Sequence, residues 1–261
     1  MRLEIPTGKR FIVGMGDWTP AEITVETWWD ASDTDTITDS GGAVSQWNDK
    51  SGNNNHLTQG TASAQPVTGT RTINGLNVID WDDNSPQDRM QLTNVITDGA
   101  PFAAFVVAQF DNVNSNAIVY DSTNNRYTQL GEVSATNNII FRLGADEGGG
   151  INFTGANGSS IGTDVGLMEF WVETGGAAYA SINGALSGTS AGTWTATDYE
   201  ISRLGRNGSD SMDGRLAEVI LMVTEPSEAD RQKIEGYLAH KWGFAGSLPV
   251  GHPYKNTPPV A

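Results

Sequence analysis

The stretch D-G-R-L-A-E-V-I-L-M-V-T-E-P-S-E-A-D-R-Q-K-I-E-G-Y-L-A-H-K-W, from Asp213 to Trp242, changes its period once, and that change decides the fold. Leu216 to Val223 is apolar and β-branched with one charge, Glu218. A run that short and that apolar suits a strand buried on both faces. Glu225-Pro226 stops it, because proline cannot donate to a ladder. Ser227 is placed as an N-cap, with Glu228 and Asp230 in the first turn, where negative charge suits the helix dipole. From there Ile234, Leu238 and Trp242 recur at i, i+4 and i+8, and Gly243 stands where a helix ends. The spacing predicts a helix over 227–242.

A lone helix of that length is marginal in water. Docking Ile234, Leu238 and Trp242 contributes roughly 2 kcal/mol each. The helix therefore has to lie on something, and no second stretch of comparable helical strength exists. What it lies on is β structure. The reading is an all-β sandwich that closes with one strand and one packed α-helix.

The rest of the chain agrees with this. Glu22 to Asp30 alternates as a first strand, with Ile23, Val25 and Thr27 on one face and Thr24, Glu26 and Trp28 on the other. Further strand candidates are Gly42 to Trp47, Leu57 to Gln59, Gly75 to Asp82, Phe102 to Phe110, Ala117 to Tyr120, Tyr127 to Leu130 and Asn138 to Leu143. Leu167 to Thr174 and Ala177 to Ile182, joined by Gly175-Gly176, form a hairpin signal; Asn183-Gly184 is a second. Residues 1–21, rich in Pro and Gly around Phe11-Ile12-Val13, read as an N-terminal docking arm. It either wraps its own domain or docks on another subunit. Residues 22–246 form one sandwich domain, and 247–261, with four prolines, an extended tail.

The chain has 261 residues, enough for a sizeable core without staples, and no cysteine for a disulfide scaffold or Cys-based zinc site. With only 3 histidines a conventional zinc site is not expected. The formal net charge of −16 disfavours nucleic acid and anionic membranes as partners. No apolar run is long enough to span a bilayer, and the N-terminus lacks an h-region, so neither a membrane span nor a secretion signal is expected.

For ligand chemistry the outstanding segment is W-N-D-K-S-G-N-N-N-H. Trp47 offers an aromatic face, and Asp49, Asn53, Asn54, Asn55 and His56 offer groups that bond sugar hydroxyls. An oxygen-rich loop also suits calcium. The same run is what a tight turn needs, through Asx turns and a permissive glycine. Both readings stand at this point. Asp82-Asp83-Asn84 and Asp121 to Asn125 are lesser calcium candidates of the same kind. Glu169, Trp171 and Glu173 alternate on one strand face, as a glycosidase acid pair requires, although an acidic exposed face explains them as well. No Ser-His-Asp order and no phosphate loop stands out; Gly148-Gly149-Gly150 lacks a strand-to-helix context.

Three pieces carry a family resemblance: Trp28 to Leu57, Met168 to Gly184, and Asp213 to Gly243 with the trailing L-P-V-G-H-P-Y-K. Together they resemble the concanavalin A-like lectin/glucanase superfamily, in particular the laminin-G-like jelly-roll domains of bacterial and phage proteins. The resemblance implies a two-sheet antiparallel jelly roll. It also implies a binding rather than catalytic role, because Trp171 stands where the glucanase members carry their middle acid. Two expectations follow. One is a non-enzymatic bacteriophage virion protein (capsid decoration, head fibre or tail-associated) with a lectin-like domain for host surface glycans. Its arm would dock on other virion proteins, and it would be homo-oligomeric. The other is a bacterial secreted or cell-surface carbohydrate-binding module. No cofactor is required by either expectation; calcium is the one candidate, through the oxygen-rich loops, and would show as calcium dependence of the carbohydrate-binding module.

Overall fold

The computed structural model describes residues 16–82, 87–97, 102–112, 116–121, 128–133, 138–143, 151–154, 161–173, 176–190, 200–207 and 210–261. Its strands are β1 (Thr27–Asp30), β2 (Ile37–Ser40), β3 (Ala43–Trp47), β4 (Leu57–Thr58), β5 (Val67–Ile73), β6 (Leu76–Trp81), β7 (Met90–Thr97), β8 (Ala103–Phe110), β9 (Asn116–Asp121), β10 (Thr128–Val133), β11 (Asn138–Leu143), β12 (Ile151–Thr154), β13 (Gly166–Val172), β14 (Ala178–Ile182), β15 (Ala185–Ser190), β16 (Glu200–Leu204), β17 (Arg206–Asn207), β18 (Asp210–Ser211) and β19 (Gly214–Met222). One α-helix follows, α1 (Glu228–Trp242).

The pairing is antiparallel throughout. One layer runs β1–β19–β8–β13–β14–β15, with β6 continuing the edge of β19 beyond β1. The other runs β2–β3–β4–β7–β16–β9–β10–β11–β12. Strand β5 pairs with both β3 and β6, so the ladder turns over there and the layers face each other.

Alternation divides the core in two. On β8, Ala104, Val106, Ala108 and Phe110 point between the layers; Ala103, Phe105 and Val107 point outward. Between the layers Phe141 of β11 meets Phe170 of β13, ring centroids 5.3 Å apart. The outer face is covered by α1: Ile234, Leu238 and Trp242 are fully buried against Phe105, Ile220 and Trp28. The double burial expected of the closing strand holds, since β19 lies between β8 on one edge and β1 and β6 on the other, with both faces covered.

The cap residues act as their chemistry requires. Ser227 accepts the Asp230 N–H at 3.1 Å, and Gly243 adopts φ +85°. A register shift between Leu216 and Glu218 is a β-bulge that keeps both Ala217 and Glu218 on the helix side of β19. The expected Asn183-Gly184 turn is present, with φ +51° and +74°, joining β14 to β15.

The first strand is shorter than its sequence suggests. It begins at Thr27, not Glu22, because Pro20–Glu22 forms a 3-10 turn; Ile23, Val25 and Trp28 then pack on one cluster instead of alternating. The tail is folded onto α1 rather than extended away, with Leu248 2% exposed. The described end of the arm is tied to that tail: Asp17 bridges Val260, and Trp18 is buried edge-on to Tyr237. Residues 1–15 lie outside the described residues. Among the described residues no helix is long and apolar enough to cross a membrane.

Candidate functional site

The 47–56 segment is an edge plug. Trp47 is 0% exposed in the inner core, so its ring offers no stacking face and the expected aromatic platform is absent. Asp49 is buried and accepts from every side: Trp28 N–H at 2.9 Å, Ser51 N–H at 2.9 Å, Ser51 Oγ at 2.6 Å and Asn55 N–H at 3.1 Å. The Asn53 amide donates to the Val25 and Glu26 carbonyls, and the Asn55 amide to Glu26 O and Oε1. His56 Nδ1 accepts the Asp49 N–H. Asn54 is exposed at φ +62°. These side chains stand in for a neighbouring strand along the free edge of β1, which would otherwise be a pairing liability. Both Asp49 oxygens are engaged, and the Asn53 and Asn55 NH₂ groups are spent on the chain at Val25 and Glu26, as the turn reading requires.

The acids of β13 are not an open pair either. Glu169 is 0% exposed beneath α1. Trp171 stacks on Tyr179 at 5.0 Å and beneath Arg231 at 4.9 Å, while Glu173 accepts the Tyr179 hydroxyl. This is a ladder pinning helix to sheet. Gly148 to Gly150, Asp83, Asn84 and residues 122–125 lie outside the described residues, while Asp121 ends β9.

The site the structure does assemble is a cleft of about 460 Å³ at the turn-over between the layers. Its walls are Val67, Thr70 and Arg71 of β5, Asp80 and Trp81 of β6, and Asp82, Asp88, Asp111 and Asp213. Arg71 is the organiser. Its guanidinium pairs with Asp80, and its Nη1 lies 2.7 Å from Asp111. Thr70 Oγ1 also donates to Asp80. Arg215 reaches Asp111 at 3.5 Å from the next strand. The hydrogen bond to Asp80, and with it the Asp111 carboxylate, holds the Arg71 guanidinium's pKa above its ordinary range, against the opposing effect of partial burial.

Trp81 forms the floor at 2% exposure, wedged against Gly205. A Cβ at Gly205 would sit 2.2 Å from that ring, so only glycine fits, and φ is +94°. Asp88 is the perturbed group. Burial pushes its carboxyl up to about 7; the Asp82 N–H opposes this, and the charges of Asp82 and Asp80 add to it. Asp88 Oδ2 accepts that N–H at 2.9 Å. At neutral pH the cleft therefore holds fixed carboxylate acceptors, a guanidinium donor and a carboxyl able to do either. Among the described residues no group of three or more His, Cys, Asp and Glu side chains is arranged to hold a metal ion.

The sequence did carry one trace of this site, the D-W-D at the end of β6. Arg71, Asp88, Asp111 and Asp213 are too far apart in the chain to form a motif.

No family model and no curated protein matches the chain. Solved structures do. Domain 4 of AbnA, a GH43 extracellular arabinanase from Geobacillus stearothermophilus, in complex with arabinotriose, is 13% identical with TM-score 0.53, covering 76% of this chain and 91% of that one. The receptor binding domain of botulinum neurotoxin D is 13% identical with TM-score 0.57, covering 81% of this chain and 52% of that one. The binding domain of Paraclostridial mosquitocidal protein 1 is 13% identical with TM-score 0.55, covering 81% and 52%. This chain thus spans about half the length of the two toxin domains. At such identities the likeness carries the fold, an antiparallel β-sandwich.

Proposed function

We propose that this chain is a non-catalytic recognition domain that binds a carbohydrate in the Arg71–Asp88 cleft. The observation that carries the reading is the cleft's chemistry. Asp80 and Asp111 are held in place by Arg71 rather than by solvent, and all three present hydrogen-bonding atoms to one cavity. Preorganised acceptors and donors around a pocket of this size suit a polyhydroxylated ligand. The arabinotriose complex of the AbnA domain, on the same fold, supports the ligand class.

The finer placement is a bacteriophage virion structural protein, such as a capsid decoration, head-fibre or tail-associated protein, with the cleft facing host surface glycans. The acidic charge, which suits a soluble outward-facing surface, and the Pro/Gly-rich arm support it. A bacterial secreted or cell-surface carbohydrate-binding module is the second reading, favoured by the extracellular arabinanase neighbour.

Calorimetry against a glycan panel that begins with arabinotriose, with and without EDTA, tests the binding role. Affinity lost in Arg71→Ala and insensitive to EDTA is the expected result. No binding across the panel removes the proposal. Mass spectrometry of purified phage particles separates the two placements.

A further inference from the structure

The C-terminal tail is held on α1 through one imidazole. His252 Nδ1 accepts the Tyr254 N–H at 3.2 Å, so Nδ1 carries no proton. Its Nε2 lies 2.7 Å from Glu235 Oε2 and is therefore the donor. The ring is neutral, with both nitrogens committed. A second proton on Nδ1 would set a donor against the Tyr254 N–H. The seat has no slack, because a Cβ at Gly236 of α1 would stand 2.4 Å from Tyr254 Cβ. His240 Nε2 meets Tyr254 O at 2.8 Å nearby.

Charged groups face His252 from each packed element: Glu235 and Arg231 from α1, Glu169 from β13, and Lys255 from the tail. Arg231 pairs with Glu235 and lies 3.9 Å from Glu169 Oε2. Glu169 Oε1 accepts Ser181 Oγ at 2.6 Å and the Gly184 N–H at 2.9 Å. Burial holds His252 below its ordinary range, with Arg231 and Lys255 adding to the effect and Glu169 opposing it. Burial and the Glu235 charge push Glu169 well up, and burial also raises Glu235, on which Glu228 acts as well.

The tail beyond His252 does a second job. Pro259 O accepts the Trp18 N–H at 3.2 Å, and the Ala261 N–H donates to Gly16 O at 2.9 Å. Trp18 is 1% exposed there. The tail thus clips the base of the N-terminal arm to the helix.

We propose that His252 is an acid-operated latch: protonation at Nδ1 breaks the bond from Tyr254, lifts residues 252–261 from α1 and releases residues 16–18. The sign follows from linkage. A histidine kept neutral in the fold contributes stability that is complete above the ordinary value near 6.5 and is lost as pH falls through the lower folded value. Glu169 and Glu235, raised in the fold, lose their contribution as pH rises through their folded values. Acidification favours that pair, so the acid limb belongs to the histidine. The latch is independent of the carbohydrate cleft.

Hydrogen–deuterium exchange of the intact protein at pH 7.5 and 5.5, corrected for intrinsic rates, tests it. Residues 252–261 and 16–18 should lose roughly tenfold or more of their protection at pH 5.5, while β8 and β19 keep theirs. In His252→Gln the tail should behave alike at both pH values. Unchanged tail protection in the wild type, an acid loss that persists in His252→Gln, or uniform loss across the chain overturns the latch. If the variant does not seat its tail at all, NMR titration of the 3 wild-type histidines decides. The Trp18 and Ala261 amide signals must then move together with His252; movement with His56 or His240 instead refutes it.

Discussion

Replacing Glu218 by glutamine tests how α1 is fastened to the sheet. The Glu218 side chain is 0% exposed and takes four donors: Trp28 Nε1 at 2.6 Å and Tyr237 Oη at 3.2 Å on Oε1, and Lys241 Nζ and Trp242 Nε1, each at 2.7 Å, on Oε2. Lys241 is itself 4% exposed and reaches Asp30 at 2.7 Å. Burial raises Asp30, but the charges of Lys241 and Lys50 outweigh this and hold it at about 2. Burial raises Glu218 as well, and Asp30 adds to this; it shares Lys241 with Asp30 and lacks the second lysine. In Glu218→Gln the amide NH₂ turns two donors against two other donors, and Lys241 loses one of its anions. Breaking a buried pair this way costs about 3–5 kcal/mol. For a chain of this length that lowers Tm by roughly 10 °C. Urea and calorimetric unfolding give both numbers. Lys241→Met should cost a similar amount, and the double variant should recover part of the loss, because it removes the unpaired Glu218 charge while Asp30 keeps Lys50. A loss below about 1 kcal/mol for Glu218→Gln, or additive single losses, would refute the claim that this network fastens the helix.

Three further perturbations bear on the loop, the floor and the cleft. Asp49→Ala leaves the Trp28, Ser51 and Asn55 N–H groups without an acceptor; a loss of about 2–3 kcal/mol in urea unfolding and a rise in light scattering from the uncovered β1 edge are expected. Gly205→Ala drives a methyl into Trp81 at a left-handed position, and thermal unfolding should show a loss of about 3 kcal/mol. Asp88, raised in the fold, contributes stability that is lost as pH rises toward and through about 7. Its carboxyl borders an open cleft, so screening leaves about 2 kcal/mol of that fall between pH 5 and 8, and Asp88→Asn should flatten it in urea midpoints measured across that range.

Much of the fold is legible in the chain because its signals are local. The switch from β19 to α1, the Ser227 cap, the Gly243 stop and the Asn183-Gly184 turn each depend on residues within a few positions of one another. β5 and β7 lack such a local signal. Val67–Ile73 is interrupted by Gly69 and reads as a turn, and Met90–Thr97 lacks a clean alternation. Trp47 illustrates a different failure. An aromatic residue before a polar loop looks like a binding platform, but Trp47 pairs with Leu57 and is buried in the inner cluster. Nor can spacing reveal the cleft, which gathers Arg71, Asp88, Asp111 and Asp213 only after the ladder turns over at β5. The Glu218–Lys241–Asp30 network is only half legible: Glu218 stands out as the one charge in an apolar run, but Lys241 and Asp30 each resemble a surface charge.

The most direct measurement is amide chemical-shift mapping of the full chain titrated with arabinotriose and then with the rest of the glycan panel. The account predicts saturable shifts at Thr70, Arg71, Asp80, Asp88 and Asp111, with the 48–56 amides unmoved. Shifts centred on 48–56 or on the outer face beneath α1, or none with any glycan, would contradict it.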